Sequence, residues 1–184
     1  MRGRKQNATG RRSADFMRRA MDLHGGAVYL VALSQTRSHA DAQDVSQDVF
    51  LRLFTSDTEF SNDEHLRAWL LRVTINRSHE LHRSPWRRCM ALSDEGIDLL
   101  PSSEPDPADA AVDALEQSPV WIALKALPER LRTVVLLHYV EAYPTETIAR
   151  IVGCPAATVR TRLYRARAQM RRRLESMETE GRHE

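Results

Sequence analysis

Residues 144–167 read PTETIARIVGCPAATVRTRLYRAR, and this stretch decides the fold of the C-terminal part of the chain. The pattern predicts two short helices joined by a turn at Gly153. Apolar residues recur at spacings of three and four, so one face of the second helix should be buried. The predicted buried stripe is Val159, Leu163, Ala166, Met170 and Leu174. A scaffold helix, a tight turn and a second helix with hydrogen-bond donors on its outer face make a helix-turn-helix, which binds the major groove of DNA.

The outer face of that second helix carries the residues that we expect to contact duplex DNA. An arginine can hold guanine O6 and N7 with two hydrogen bonds, and each good pair discriminates between bases by roughly 1–3 kcal/mol. A merely solvated arginine helix is the alternative interpretation, and the glycine turn and the preceding helix weigh against it. The expected duplex contacts are Ala157, Thr158, Arg160, Thr161, Tyr164 and Arg165.

The composition indicates an all-α protein. Its 184 residues suffice for one medium domain or two small ones, aliphatic residues are ample, and there are only 7 glycines and 8 prolines. No apolar run approaches the roughly 18 residues of a membrane span, and no apolar signal segment follows the basic N-terminus, so we expect a cytoplasmic protein without membrane insertion. Cys89 and Cys154 predict neither a disulfide framework nor a metal site, and we expect no cofactor.

The net charge of +2 hides a strong segregation of charge along the chain. Residues 155–174 hold seven arginines and no acid, whereas residues 94–116 hold eight acids and no lysine or arginine. Basic residues also dominate 1–19 and 67–88, and acids dominate 41–64. Such blocks indicate at least two basic faces for nucleic acid and a separate acidic face.

Hydrophobic periodicity and helix breakers predict two small helical domains joined by a flexible acidic linker. In the first domain we expect helices over about 14–34 and 38–54, with a bend at Gly25-Gly26. A third helix should be capped by Asp63 and end before Pro85. The expected organisation is a basic disordered tail at 1–13, a first domain at 14–90, an acidic linker at 91–118, a second domain at 119–176 and a C-terminal tail at 177–184.

The second predicted helix carries an acidic stripe. Asp41, Asp44 and Asp48 lie at i, i+3 and i+7, beside more apolar bulk than one buried stripe can hide. A solvated helix face is the alternative, but a mixed acidic and apolar face suits docking onto a basic partner helix. The expected docking residues are Asp41, Asp44, Gln47, Asp48 and Phe50.

The third predicted helix carries a polar, basic face, and Trp69 and Trp86 offer flat surfaces on which an unstacked base could rest. A core position for Trp69 and solvated arginines elsewhere is the alternative for any single residue. As a set, basic donors, aromatic rings and an asparagine favour nucleic acid, including single strands. His79 and His82 are three residues apart, which is the wrong spacing for the zinc-protease motif, so no metal is expected there.

These stretches resemble, in their order and spacing, the sigma-70 family of bacterial RNA polymerase subunits, in its small extracytoplasmic-function (ECF) type. Residues 41–54 resemble region 2.2 of that family, and residues 66–77 resemble regions 2.3 and 2.4. Residues 127–132, together with the helix-turn-helix, look like region 4. The similarity covers about residues 14–174.

The resemblance implies promoter recognition without catalysis. Region 2.2 of the family docks on the clamp helices of the largest subunit of core RNA polymerase, regions 2.3 and 2.4 melt and capture the −10 element as a single strand, and region 4 reads the −35 duplex. An anti-sigma factor commonly holds such proteins inactive. By position, the −10 strand would be handled by Asn76 and the loop from Phe60 to Glu64. Together with the polar face of the third helix, the expected −10 contacts are Phe60, Asn62, Arg72, Asn76, His79 and Arg83.

The chain departs from the family pattern at four positions. Gln43 and Ser46 stand where the family often has an acid and an aliphatic residue, which thins the acidic docking face. Thr147 replaces a usual glutamate, and Ala157 replaces a frequent glycine and crowds the backbone near phosphate. None of the four removes a function that the resemblance implies.

Two other functional classes remain open at this point. A stand-alone helix-turn-helix regulator would bind duplex DNA tightly by itself and would have no affinity for polymerase. Its one difficulty is the acidic stripe of the second helix, which such a regulator does not need. A helical enzyme is less well supported, because no paired carboxylates, nucleophile and base, or glycine-rich phosphate loop stands out.

Overall fold

The computed structural model describes residues 12–83 and 114–180, and within these ranges the regular structure is helical, without a β-strand. This confirms the predicted all-α fold. Residues 91–113 of the predicted linker, 1–11 of the predicted N-terminal tail and 181–184 of the predicted C-terminal tail lie outside the described residues, whereas residues 177–180 of the C-terminal tail belong to the last helix. The elements are α1 (Ala14–Thr36), α2 (His39–Thr55), α3 (Asp63–Arg83), α4 (Pro119–Lys125), α5 (Glu129–Val135), a π-helical turn (Leu136–Val140), α6 (Thr145–Val152) and α7 (Ala156–Glu180). We call α1–α3 the N-terminal unit and α4–α7 the C-terminal unit.

Side-chain caps set the starts of the first three helices. Ser13 and Ser38 accept hydrogen bonds from the backbone N–H groups of the third residues of α1 and α2, both at 3.3 Å. At α3, Asn62 Oδ1 accepts a hydrogen bond from His65 N at 2.8 Å. The cap of α3 is therefore Asn62, one residue before the Asp63 that the sequence predicted.

Helix α1 runs through Gly25-Gly26, where the sequence predicted a bend. Each glycine costs a helix interior roughly 1 kcal/mol relative to alanine. Burial of the surrounding face outweighs this, since Ala20, His24 and Val28 on neighbouring turns are all buried. His24 also holds the start of α3, with its Nε2 at 3.1 Å from Asp63 Oδ1.

The core of the N-terminal unit is built from one face of each of its three helices. Full burial of one large aliphatic side chain contributes about 1.5–3 kcal/mol, so this core alone supplies much of the unit's stability. Its fully buried members are Val28, Val31, Leu33, Val45, Val49, Leu53, Leu70 and Leu71.

The C-terminal unit wraps short helices around the first part of α7. Arg132 ties α5 to the corner that precedes it, because its guanidinium donates hydrogen bonds to the carbonyl oxygens of Lys125 at 3.0 Å and Leu127 at 3.1 Å. Burial, with Arg37 nearby, lowers the pKa of Arg132 to about 10, so the group is still charged at neutral pH. The buried apolar residues of this unit include Trp121, Leu124, Val134, Leu136, Leu137, Ile148, Val159, Leu163 and Ala166.

The two units pack against each other through polar contacts as well as apolar ones. Gln35, at the end of α1, donates a hydrogen bond from Nε2 to Thr133 Oγ1 of α5 at 3.1 Å, and both residues are buried. Buried polar groups are expensive to leave unbonded, so this contact fixes the relative position of the two helices.

A charged contact also joins the two units. Arg67 of α3 donates a hydrogen bond to the carboxylate of Glu141, whose side chain is only 4% exposed. The Arg67 guanidinium also lies 5.3 Å from the centre of the Tyr143 ring. Burial raises the pKa of the Tyr143 hydroxyl, so it stays neutral. Arg67 therefore joins the N-terminal unit to the turn that leads into α6.

The residue inside that turn has an unfavourable backbone conformation. Ala142 adopts φ of +57°, and the left-handed region costs a residue with a Cβ roughly 1–2 kcal/mol. Ala142→Gly should stabilise the protein by about 0.5–1 kcal/mol, since the greater freedom of glycine in the unfolded chain offsets part of the gain. Urea unfolding measures the change. The matched control is Ala168→Gly in exposed helix α7, which should lose about 1 kcal/mol. A loss of stability by both variants would contradict the left-handed conformation.

Reversal of the charge at Glu141 should separate the two units. In Glu141→Lys a second cation faces Arg67, and two like charges about 4 Å apart repel by about 4 kcal/mol at an effective dielectric constant of 20. Small-angle X-ray scattering should then give a larger radius of gyration than for the wild type. Glu146→Lys, an equal charge change at a largely exposed acid, should leave the radius unchanged. An unchanged radius in Glu141→Lys would contradict the inter-unit ion pair.

Candidate nucleic-acid and partner interfaces

The C-terminal unit contains the helix-turn-helix that the sequence predicted. Helix α6 ends at Gly153, which adopts the left-handed conformation with φ of +68°, and Cys154 N donates to Ala149 O at 3.1 Å. Pro155 then leads into α7. Helix α7 buries Val159, Leu163 and Ala166 of its predicted stripe against the unit's core, whereas Met170 and Leu174 farther along the stripe are half-buried.

The opposite face of α7 is open to solvent. Arg160, Thr161, Tyr164 and Arg165 are exposed, with Tyr164 70% exposed despite its size. Arg160 lies 3.6 Å from Glu146 of α6, but both side chains are largely exposed and such a pair contributes little. Arg160 is therefore available to a ligand.

The other two predicted duplex contacts flank this face at the start of α7, where Ala157 is exposed and Thr158 is half-buried. Thr161 Oγ1 donates to the carbonyl oxygen of Ala157 at 3.0 Å and keeps its oxygen free to accept. Glu146 of α6 accepts hydrogen bonds from its own backbone and from the Thr145 hydroxyl, and these bonds lower the pKa of its carboxyl group. Glu146 therefore stays ionised beside Arg160.

The five predicted docking residues of α2 do not lie together on one free face. Asp44 and Gln47 are exposed, whereas Asp41 and Phe50 are buried. Asp48 is half-buried and accepts a hydrogen bond from Arg77 Nε at 2.7 Å. That hydrogen bond raises the pKa of Arg77.

An apolar groove lies between α1 and α2. The sequence predicted excess apolar bulk on α2 but not the part of the groove that α1 supplies. The groove is an open cavity of about 890 Å³, lined by Met17, Met21, Gly25, Gln47, Phe50 and Leu51 among others. We call it the apolar groove. Met21 and Leu51 are 51% and 54% exposed, which is high for large apolar side chains and is typical of an interaction surface. The sequence signal for the apolar groove was a set of apolar residues at positions that do not follow the three-and-four spacing of the buried helix faces.

Gly25 forms part of the wall of the apolar groove. A Cβ built at this position would have no atom within 4 Å, so packing within the described chain does not require glycine there. The missing side chain leaves the backbone of α1 open to close approach by a partner.

A second cavity, of about 520 Å³, lies between the two units. We call it the inter-unit cavity. The loop before α3 and the first turns of α3 form one wall, with Asn62, His65, Trp69 and Arg72. Helix α6 forms the other wall, with Thr147, Arg150 and Ile151. His65 and Arg150 were not predicted site residues, because the cavity forms only where helices distant in sequence meet.

The predicted −10 residues have different surroundings. Asn62 and Arg72 line the inter-unit cavity, whereas Phe60 lies behind Trp69, in an edge-on ring contact with centres 5.6 Å apart. Asn76 is exposed farther along α3. The Nε2 atom of His79 contacts the carboxylate of Glu129 in the C-terminal unit, and the side chain of Arg83 lies outside the described residues.

Within residues 12–83 and 114–180, no group of three His, Cys, Asp or Glu side chains is arranged to hold a metal ion. In the same part of the chain, no helix combines the length and apolarity that crossing a membrane would take.

Two family models match this chain. The model for sigma-70 region 2 matches residues 20–88, and the model for sigma-70 region 4 matches residues 120–170. The first contains α3 and most of the residues that line the apolar groove, and the second contains the helix-turn-helix.

Full-length RNA polymerase sigma factors are also similar to this chain. The ECF RNA polymerase sigma factor SigE of Mycolicibacterium smegmatis is 30% identical over 148 residues, which are 80% of this chain but only 57% of that protein. The RNA polymerase sigma-H factor of Pseudomonas aeruginosa is 31% identical over 145 residues, which are 74% of this chain and 75% of that protein. This chain thus spans little more than half of the first relative.

Among solved structures, the sigma factor RpoE from Bartonella quintana, determined in complex with the anti-sigma factor NepR, matches with a TM-score of 0.67. The match covers 89% of this chain and 98% of that one at 22% sequence identity. It shows that the two chains share a fold.

The exposed face of α7 predicts how the protein binds duplex DNA. Removal of one arginine that contacts phosphate should lower the slope of log affinity against log salt by about 1. We expect this for Arg165→Ala on a mixed-sequence duplex, measured by fluorescence anisotropy from 50 to 200 mM salt. Arg19→Ala makes the same charge change on exposed α1 and should leave the slope unaltered. Equal slopes for Arg165→Ala and wild type would contradict a duplex contact by this face.

Proposed function

Since the chain belongs to the sigma-70 family of RNA polymerase sigma factors, in its ECF type, we propose that it directs core RNA polymerase to specific promoters. In this proposal it acts in the cytoplasm and has no catalytic activity of its own, because the polymerase carries out the chemistry. The proposed boundaries are region 2 at residues 14–90, an acidic linker at 91–118 and region 4 at 119–176.

One observation carries the proposal. The chain has an exposed helix-turn-helix face on one unit and, on the other, a separate apolar groove whose lining includes the acidic residue Asp22. A protein that only binds duplex DNA needs the first surface and has no use for the second. A sigma factor needs both, since it must hold the polymerase and the promoter at the same time.

We assign core polymerase docking to the apolar groove, whose lining includes Gln47 and Phe50, and to the exposed Asp44 of α2. The occupant in this proposal is the clamp-helix pair of the largest polymerase subunit. Apolar contacts with Met21 and Leu51 supply area, and Asp44 supplies attraction for a basic partner helix. Asp41 and Asp48 act less directly, because Asp41 is buried and Asp48 is bonded to Arg77.

We assign the −35 duplex to the exposed face of α7 and the −10 strand to α3 and its preceding loop. Extrusion of a base from the stack costs a few kcal/mol. Stacking on an aromatic side chain returns about 1–3 kcal/mol per base. Trp69 in the wall of the inter-unit cavity offers such a surface, with Arg72 beside it for a phosphate.

We also propose an anti-sigma factor as a partner. Support comes from the related fold of Bartonella quintana RpoE, which was solved in complex with the anti-sigma factor NepR. A protein bound across the apolar groove would keep the polymerase away.

The test is binding to bacterial core RNA polymerase in the absence of DNA. Wild type should bind saturably, and Leu51→Asp and Asp44→Arg should each weaken binding at least about tenfold, or 1.4 kcal/mol. The matched control is Leu23→Asp, because Leu23 is 69% exposed on α1 and does not line the apolar groove.

Two results would contradict the proposal. Absence of wild-type binding to core polymerase, with tight binding to duplex DNA alone, would indicate a stand-alone helix-turn-helix regulator. Equal weakening by Leu23→Asp and Leu51→Asp would move the docking surface away from the apolar groove.

A further inference from the structure

Arg12 precedes α1 and lies outside the region 2 match, which begins at residue 20. The sequence placed it in a disordered tail, but its guanidinium connects two separate parts of the N-terminal unit. Nε donates to the carbonyl oxygen of Leu53, near the end of α2, at 3.0 Å. A terminal nitrogen donates to the carbonyl oxygen of Thr58, in the loop between α2 and α3. The backbone N–H of Arg12 donates to Phe54 O at 3.4 Å.

The same guanidinium also lies between two aromatic rings. Its central carbon is 4.9 Å from the centre of the Phe16 ring on α1 and 4.8 Å from the centre of the Phe60 ring in the loop. Both distances are within the range in which a cation is attracted to a ring face. Arg12 therefore holds Phe60 by its ring and the loop by its backbone.

The Phe60 ring contacts two residues that line the inter-unit cavity. Its ring meets Trp69 edge-on at a centre distance of 5.6 Å and an interplanar angle of 72°, and meets His65 at 5.5 Å and 77°. Trp69 and His65 both line the cavity, whereas Phe60 lies behind them. The orientation of the two lining rings thus depends on a ring that Arg12 holds in place.

We propose that Arg12 is a positioning residue for capture of the −10 strand, acting through Phe60 on Trp69 and His65. This inference rests on the proposed function, because it requires that the α3 wall of the inter-unit cavity, which carries Trp69 and His65, receives an extruded base. An aromatic ring held in one orientation binds a strand with a base at that position more tightly than a strand without the base. A ring that is free to move loses this preference. Arg12 therefore controls discrimination for the base, while the arginines of α3 control general affinity for the strand.

The first part of the test uses the full chain without DNA. Incorporation of 5-fluorotryptophan labels all 3 tryptophans, and Trp69→Phe assigns the resonance of Trp69 in the 19F NMR spectrum. Arg12→Ala should shift and broaden the Trp69 resonance while that of buried Trp121 stays in place. Arg12→Lys, which keeps a cation but not the two-pronged hydrogen bonding, should give a smaller shift. Arg19→Ala should give none. An unmoved Trp69 resonance in Arg12→Ala would overturn the proposal.

The second part uses holoenzyme assembled from core polymerase. The probes are the single strand that the wild-type holoenzyme selects from a random promoter library and the same strand with an abasic site at each position in turn. The preference is the ratio of the affinity for the intact strand to the affinity for the strand with an abasic site at the captured position. Arg12→Ala should lower this ratio about 5-fold. Affinity for the abasic strand and for core polymerase should not change, which separates positioning from a loss of stability. Arg12→Lys should recover part of the preference.

The two ways of failing are distinguishable. A wild-type holoenzyme that selects no promoter would overturn the proposed function and the role of Arg12 with it. A holoenzyme that selects a promoter, and whose base preference survives Arg12→Ala, would overturn the role of Arg12 alone.

Discussion

The ion pair between Arg67 and Glu141 acts with the Gln35–Thr133 hydrogen bond to hold the two helical units in one arrangement, and the inter-unit cavity lies between the units so held. A buried carboxylate without a partner is costly, so Glu141 needs Arg67 as long as the units are packed. The net contribution of such a pair is nevertheless small, because both groups regain water when the units separate. The contact thus specifies one geometry without holding it strongly, which suits two units that a partner can pull apart.

This arrangement affects the three proposed binding surfaces unequally. The apolar groove on α1 and α2 and the outer face of α7 are open to solvent while the units are packed. The inter-unit cavity instead has helix α6 as one wall, and His79 of α3 contacts Glu129. Under the proposed function, docking on polymerase and contact with duplex can therefore precede entry of the −10 strand. Separation of the units would then free α3 for the strand.

Local patterns in the sequence predicted the helices well and their surroundings less well. The predicted stripe of α7 is buried at Val159, Leu163 and Ala166, because helix periodicity alone decides which face of α7 meets the core. The same reasoning could not separate Asp44, which is exposed, from Asp41, which packing buries in the first turn of α2. The inter-unit cavity was beyond sequence reasoning, since it joins residues near 65 to residues near 150. The role of Arg12 was missed for a similar reason, because its partners lie about forty residues later.

The measurement that tests the central claim most directly is transcription in vitro. Core polymerase and the purified chain would be incubated with a library of random promoter sequences, and the templates of the resulting transcripts would be sequenced. A sigma factor predicts transcripts that depend on the chain and start downstream of two separated sequence elements, one read as duplex and one as single strand. Transcription that is unaffected by the chain, from templates without common upstream elements, would contradict the account.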